Sequence, residues 1–188
     1  MKNGLRQLLK ALSHFEEEEL NAITGCFIEK NIKRNEFLLQ SGDVCREFYF
    51  VYKGGLRTFF TDRNGHEKTR YVMLDCSIGT ALTSFIEQKP SVEFIQAIDD
   101  TQLLAIAHHD FFRLVNEMPQ WCGFYRRMLE MAYTFQNKRI EQLVTLTAAQ
   151  RYEKVQKENP ALIQRLPNKM LASYLDVREE TLSRLKSH

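Results

Sequence analysis

Apolar positions along the chain change periodicity twice. Leu5, Leu8, Leu9 and Leu12 recur at helical spacing, and Ser13-His14-Phe15-Glu16 has the form of a capping box opening a second helix through Leu20 and Ile23. From Ile28 the period falls to two. Short apolar runs are punctuated by Ser41-Gly42-Asp43, Lys53-Gly54-Gly55, Asp62-Arg63-Asn64-Gly65 and Lys89-Pro90. Arg63-Asn64-Gly65-His66 predicts a hairpin turn between Leu56–Thr61 and residues 68–74. Residues 94–98 and 102–107 complete a series of short, antiparallel-competent strands, which predicts a small barrel or jelly roll rather than a βαβ sheet.

Helical spacing then returns. A short helix over residues 109–116, with Asp110 as its N-cap, stops near Pro119. A long helix follows over residues 120–146. Trp121, Met128 and Phe135 repeat every seven residues in it, as do Phe124 and Met131, and Leu129, Ile140 and Leu143 form a second apolar edge. This is more apolar surface than one small domain covers, so Trp121, Phe124, Met128, Met131 and Phe135 are expected to line a homodimer seam. Thr147-Ala-Ala-Gln150 is another capping box and marks a hinge at Leu146–Thr147; the helix it opens turns Tyr152 and Val155 inward and ends at Asn159-Pro160.

Residues 168–187 carry the most specific pattern. Leu171 and Leu175 lie one turn apart, Leu182 and Leu185 continue the stripe, and Ala172 is small where two helices must cross. Asp176-Val177 stands where the chain must reverse, and Asp tolerates the positive φ such a turn requires. Arg178, Glu179, Glu180, Thr181 and Arg184 then fall on the outer face of a second helix. This is a helix-turn-helix, whose second helix is built to enter a major groove. The chain therefore reads as α+β in three parts: N-terminal helices and an antiparallel, jelly-roll-like β-roll over 1–118, a dimerisation helix and hinge over 119–146, and a helix-turn-helix domain over 147–188.

Composition changes this picture little. The apolar share of 44% and charged share of 27% are those of an ordinary globular protein, and a net charge of +2 does not by itself indicate a nucleic-acid partner. From Thr147 onward 8 Lys+Arg face 5 Asp+Glu, leaving +3 there against −1 elsewhere, which is the sign a DNA-facing tail needs. Cys26, Cys45, Cys76 and Cys122 form no C-x-x-C pair, and His108-His109-Asp110 and His66 do not share a face, so neither a metal nor another cofactor is expected. With no signal-peptide run and no span of apolar residues, the expected location is cytoplasmic, away from membrane. A phosphate-binding Gly-rich loop, a G-x-S-x-G elbow and paired catalytic His/Asp are all missing from the sequence, so an enzyme is not expected.

The order of elements, together with Phe48-Tyr-Phe-Val-Tyr-Lys-Gly-Gly55, Ile78-Gly79 and Glu180-Thr-Leu-Ser-Arg184, resembles the bacterial catabolite-activator/fumarate–nitrate regulator (Crp–Fnr) superfamily of transcription factors. The resemblance implies a dimer joined along the long helix, with two recognition helices in successive major grooves. It implies double-stranded DNA, a second copy and RNA polymerase as partners, and a small-molecule effector pocket at Gly79, Thr80, Ala81, Lys89 and Ser91. Cyclic-nucleotide binders of the superfamily follow the first cassette Gly with Glu and carry an Arg a short loop later. Here those places hold Thr80 and, at or beside the second, Ser91, with Lys89 the nearest cation beyond Pro90. A buried phosphodiester without a guanidinium is poorly compensated, so cyclic AMP binding is expected to be weak or absent.

On the recognition helix the resemblance places Arg184 on guanine and Glu180 on cytosine N4. Glu179 stands where well-known members have Arg, with Arg178 one position earlier, and Thr181, Ser183, Lys169 and Lys186 are candidate phosphate contacts. The chain ending at His188 implies a motif without a β-wing, or one cut short. The alternative reading is a small-molecule sensor or interaction module whose helical tail is degenerate.

Overall fold

The computed structural model describes residues 1–187; His188, the chain end of the sequence reading, lies outside them. In chain order the elements are α1 (Lys2–Leu12), α2 (Glu17–Gly25), β1 (Ile28–Ile32), β2 (Phe37–Leu39), β3 (Glu47–Lys53), β4 (Leu56–Thr61), β5 (Glu67–Met73) and β6 (Ser77–Gly79). They continue with α3 (Leu82–Glu87), β7 (Phe94–Ala97), β8 (Thr101–Ala107), α4 (His108–Glu117), α5 (Pro119–Thr145), α6 (Ala148–Glu158), α7 (Pro160–Arg165), α8 (Asn168–Leu175) and α9 (Glu179–Lys186). Two four-stranded sheets, β1-β8-β3-β6 and β2-β7-β4-β5, make the β-roll. β1 and β3 pair antiparallel with β8, β6 with β3 and β2 with β7, with Phe50 opposite Leu104 and Tyr49 opposite Gly79.

The chain divides into two compact units. One contains Met1–Thr58 and Val72–Glu130; the other contains Phe59–Tyr71 and the residues from Met131 onward. The division cuts through β4, β5 and α5, so the hairpin tip belongs with the helix-turn-helix rather than with the roll. A partition by sequence at residues 118 and 146 does not anticipate this.

In the first unit, Phe48, Phe85, Phe111, Trp121 and Phe124 form an aromatic core. Trp121 lies 5.2 Å from Phe111 and 4.7 Å from Phe124, centroid to centroid, and its indole N–H donates to the Phe111 carbonyl (3.2 Å). The Lys53-Gly54 turn depends on glycine. Gly54 has φ +105°, and a Cβ there would sit 2.6 Å from the Thr101 Cα. Its N–H donates to the Asp75 carboxylate (2.6 Å), while Gly55 N–H donates to Thr101 Oγ1 (3.0 Å).

Of three expected caps, two differ from the expectation and one stands. Ser13 ends α1 in extended conformation, and the box that opens α2 is Glu16–Glu19, with Glu16 N–H donating to the Glu19 carboxylate (2.8 Å). Asp110 lies in the first turn of α4, whose N-cap is Ala107, and its carboxylate pairs with Arg113 (3.1 Å). The Thr147–Gln150 box opens α6 as the spacing predicts. Among the described residues no helix is long and apolar enough to cross a membrane.

Candidate functional site

In the second unit, Leu171, Ala172 and Leu175 of α8, Leu182 of α9, Leu162 of α7 and Leu166 are all buried, and α8 packs on α9. Asp176 takes φ +52° and ψ +51°, and Val177 N–H donates to the Ala172 carbonyl (3.0 Å), closing α8 in a left-handed cap. Arg178 is the extended N-cap of α9 rather than a residue of its first turn. Glu179, Glu180, Ser183, Arg184 and Lys186 are exposed, and Thr181 is half-buried. Glu180, Ser183 and Arg184 share the outer face by helical spacing. The acids lie in the first turn of α9 and Arg184 and Lys186 in the last, each at the end its charge prefers. Lys186 Nζ donates to Asn168 Oδ1 (2.7 Å), and Lys169 stands 3.8 Å from Glu67. Both candidate phosphate-binding lysines are thus gathered at the start of α8.

Two arginines that periodicity does not single out hold the other end of α8. Arg139 of α5 donates to the Tyr174 carbonyl, and burial pulls its guanidinium pKa down. Arg151 of α6 donates to the carbonyls of Leu175 (3.0 Å) and Leu146 (2.7 Å). Cations on the last carbonyls of a helix are favoured by its dipole.

The candidate effector cassette, at β6–α3 in the first unit, is tied up internally. Thr80 and Ala81 are buried. Thr80 Oγ1 donates to the Glu47 carbonyl (2.7 Å) and lies 3.1 Å from the Cys45 thiol, whose pKa burial pushes up. Ser84 accepts from Cys45 N–H (2.9 Å) and donates to the Lys89 carbonyl (2.5 Å). Ser91 Oγ accepts from Glu93 N–H (2.9 Å). The Lys89 side chain is exposed and paired with Glu87 at 3.2 Å. Sequence reading missed Arg57, a buried guanidinium on β4 that donates twice to Gln96 Oε1 (3.1 and 2.6 Å).

The long helix corrects the expected seam. Trp121 and Phe124 are 0% and 1% exposed in the core of the first unit, so their heptad spacing records burial within the chain. Met128 is half-buried, and Phe135 is half-buried with its ring 5.1 Å from Tyr71. Met131 is exposed, and in the second unit Phe60, Tyr133, Ile140, Leu143 and Val144 also stand in solvent.

Residues 29–118 match the cyclic nucleotide-binding domain family. The Cyclic AMP receptor protein of Thermus thermophilus is 24% identical over 102 residues, 54% of this chain, and the match spans about half (47%) of that relative's length. A transcriptional regulator of the Crp/Fnr family from Eubacterium rectale has a similar structure, with a TM-score of 0.72 at 16% identity over 91% of this chain and 82% of its own. FixK2 from Bradyrhizobium japonicum gives 0.72 at 16% identity, over 86% and 83%. At such identities the likeness carries the fold. Residues 29–118 are thus similar to the cyclic nucleotide-binding domain family, within a chain whose fold is like that of solved Crp/Fnr regulators.

Proposed function

We propose that this protein is a DNA-binding transcriptional regulator that acts as a homodimer and does not respond to cyclic AMP. The observation that carries the reading is the solvent-facing row Glu180, Ser183 and Arg184 on α9, behind a left-handed turn at Asp176. Such a helix reads base edges in the major groove, with Arg184 bidentate on guanine, Glu180 accepting from cytosine and Arg178 in support. Lys169, Lys186, Thr181 and Ser183 would take phosphates, which position the helix without reading sequence. Tyr133, Ile140 and Val144, at spacings of seven and four, supply the apolar row for a second copy, and RNA polymerase is the partner through which a bound dimer would act. The cassette supports silence toward cyclic AMP. Thr80 replaces a carboxylate and is spent on the Glu47 carbonyl, Ser91 stands in or beside the guanidinium position, and Lys89 pairs at the surface.

Binding of selected genomic duplexes across a salt series tests the reading. Arg184→Ala should cost ~1–3 kcal/mol on the preferred site and relax one base pair of each half-site. Lys186→Ala should weaken all sequences alike and lower the salt slope by about one per half-site. Calorimetric titration with cyclic AMP should show no saturation up to about 1 mM, where ~4 kcal/mol of binding free energy remains. Sequence preference unmoved in a folded Arg184→Ala would favour the sensor-module alternative, in which the roll is the working part and the tail is degenerate.

A further inference from the structure

The β4–β5 hairpin tip makes a set of contacts with α8 that neither the resemblance nor the proposed recognition surface calls for. β5 is the edge strand of its sheet, so its outward N–H and C=O groups have no neighbouring strand. One hydroxyl meets two of them. Thr69 N–H donates to Ser173 Oγ (2.8 Å), which donates in turn to the Glu67 carbonyl (2.8 Å) and lies 3.1 Å from Thr69 Oγ1. Ion pairs flank this plug on both sides: Lys68 with Asp176 at 2.7 Å, and Glu67 with Lys169 at 3.8 Å. Lys169, Ser173 and the C-cap Asp176 follow one another at i, i+4 and i+7 along one face of α8, away from the buried Leu171 and Leu175.

These contacts suit reversal. The released Thr69 N–H and Glu67 C=O belong to an edge strand and can pass to water, and both ion pairs retain solvent exposure, with side chains 27% to 68% exposed. Their chemistry also opposes DNA. The first helix of a helix-turn-helix crosses the phosphate backbone, and Lys169 is the second residue of that helix. In the docked arrangement its ammonium faces a carboxylate, and that carboxylate would stand among phosphates in a bound complex.

We propose that the β4–β5 hairpin tip is an autoinhibitory latch on the helix-turn-helix: docked on Ser173 and Asp176, it places Glu67 on Lys169 in competition with a DNA phosphate, and DNA binding releases it. The proposal rests on the DNA-binding reading above and deepens it.

Lys68→Gln gives the decisive sign. Removing a cation near a DNA-binding surface weakens binding if only charge matters. The latch predicts the reverse, because the variant loses the pair that holds the hairpin shut. The measurement is the affinity of the full chain for a mixed-sequence DNA duplex at fixed salt, with the melting curve of each variant confirming that it folds. Lys68→Gln should bind about two- to five-fold more tightly, the range a partly exposed ion pair represents. Ser173→Ala, which unplugs the edge strand without changing charge, should shift affinity in the same direction, and the double variant should exceed either single one. Unchanged or weaker binding by folded Lys68→Gln and Ser173→Ala, beside a wild type that binds, overturns the latch and leaves the DNA-binding reading intact. Absence of salt-dependent binding in wild type and variants alike overturns the DNA-binding reading, and the latch with it.

Discussion

The Arg139 guanidinium lies 4.5 Å from the centroid of the Tyr174 ring and also donates to the Tyr174 carbonyl, so one residue of the long helix grips both the side chain and the backbone of α8. Tyr174 is buried, and its phenol is pushed up by desolvation, so this is a cation held over an aromatic face in a partly dry site.

Arg139→Met keeps the stem and removes the charge. It should destabilise the second unit by ~2 kcal/mol, combining a desolvated cation–π contact with the loss of a charged donor to a helix carbonyl. Arg139→Lys should recover only part, since an ammonium cannot cover the ring and reach the carbonyl in the same fork geometry. Amide exchange across α8, compared between the variants, reads this directly.

Two substitutions on α5 should separate burial from association. Ile140→Glu places a carboxylate on the exposed row and should shift sedimentation toward the monomer mass, with little change in melting at concentrations where wild type is dissociated. Trp121→Ala empties a fully buried site and should cost ~3–5 kcal/mol of folding stability. An unchanged dimer in Ile140→Glu would remove that row from the interface.

Gly54→Ala should be among the costliest single-methyl additions in the roll. A left-handed φ of +105° and a Cβ 2.6 Å from the Thr101 Cα require the backbone itself to move. A loss of about 2–3 kcal/mol in chemical denaturation is expected, whereas Gly65→Ala, in open space at φ +78°, should cost about 1 kcal/mol.

The Cys45 thiol supplies a pH dependence with a defined sign. Desolvation raises its folded-state pKa above the unfolded value, so at alkaline pH the unfolded chain binds fewer protons than the folded one. Its contribution to stability is then fully present below the unfolded pKa and is lost as pH rises toward the folded one. Alkylation should follow the same order: Cys76 and Cys122, both exposed, react in the native state, while Cys45 reacts at the rate of unfolding. Fast native labelling of Cys45 would mean that the cassette opens locally.

Features set by neighbours in sequence were legible. The positive φ at Asp176, the Lys53-Gly54 turn, the hairpin and the Thr147–Gln150 cap each need particular side chains within a few residues. Six-residue helices such as α3 and α7 are too short to establish a period, and both escaped the pattern. Trp121 and Phe135 show a different limit. Heptad spacing says that residues share a helix face, but not what covers that face, and here the roll core takes the first while Tyr71 meets the second. The Ser173–Thr69 and Arg139–Tyr174 contacts join residues 104 and 35 apart, with no local signature at either end.

Asp176 is a compromise between two demands on one position. Glycine would enter the left-handed turn without the Cβ penalty, so Asp176→Gly should make the helix-turn-helix firmer taken alone. It would also delete the carboxylate that Lys68 holds from 108 residues away. The side chain that serves the turn less well is the one through which a distant hairpin can touch it. Selection for a stiffer motif at this position would therefore erase its sensitivity to the rest of the chain.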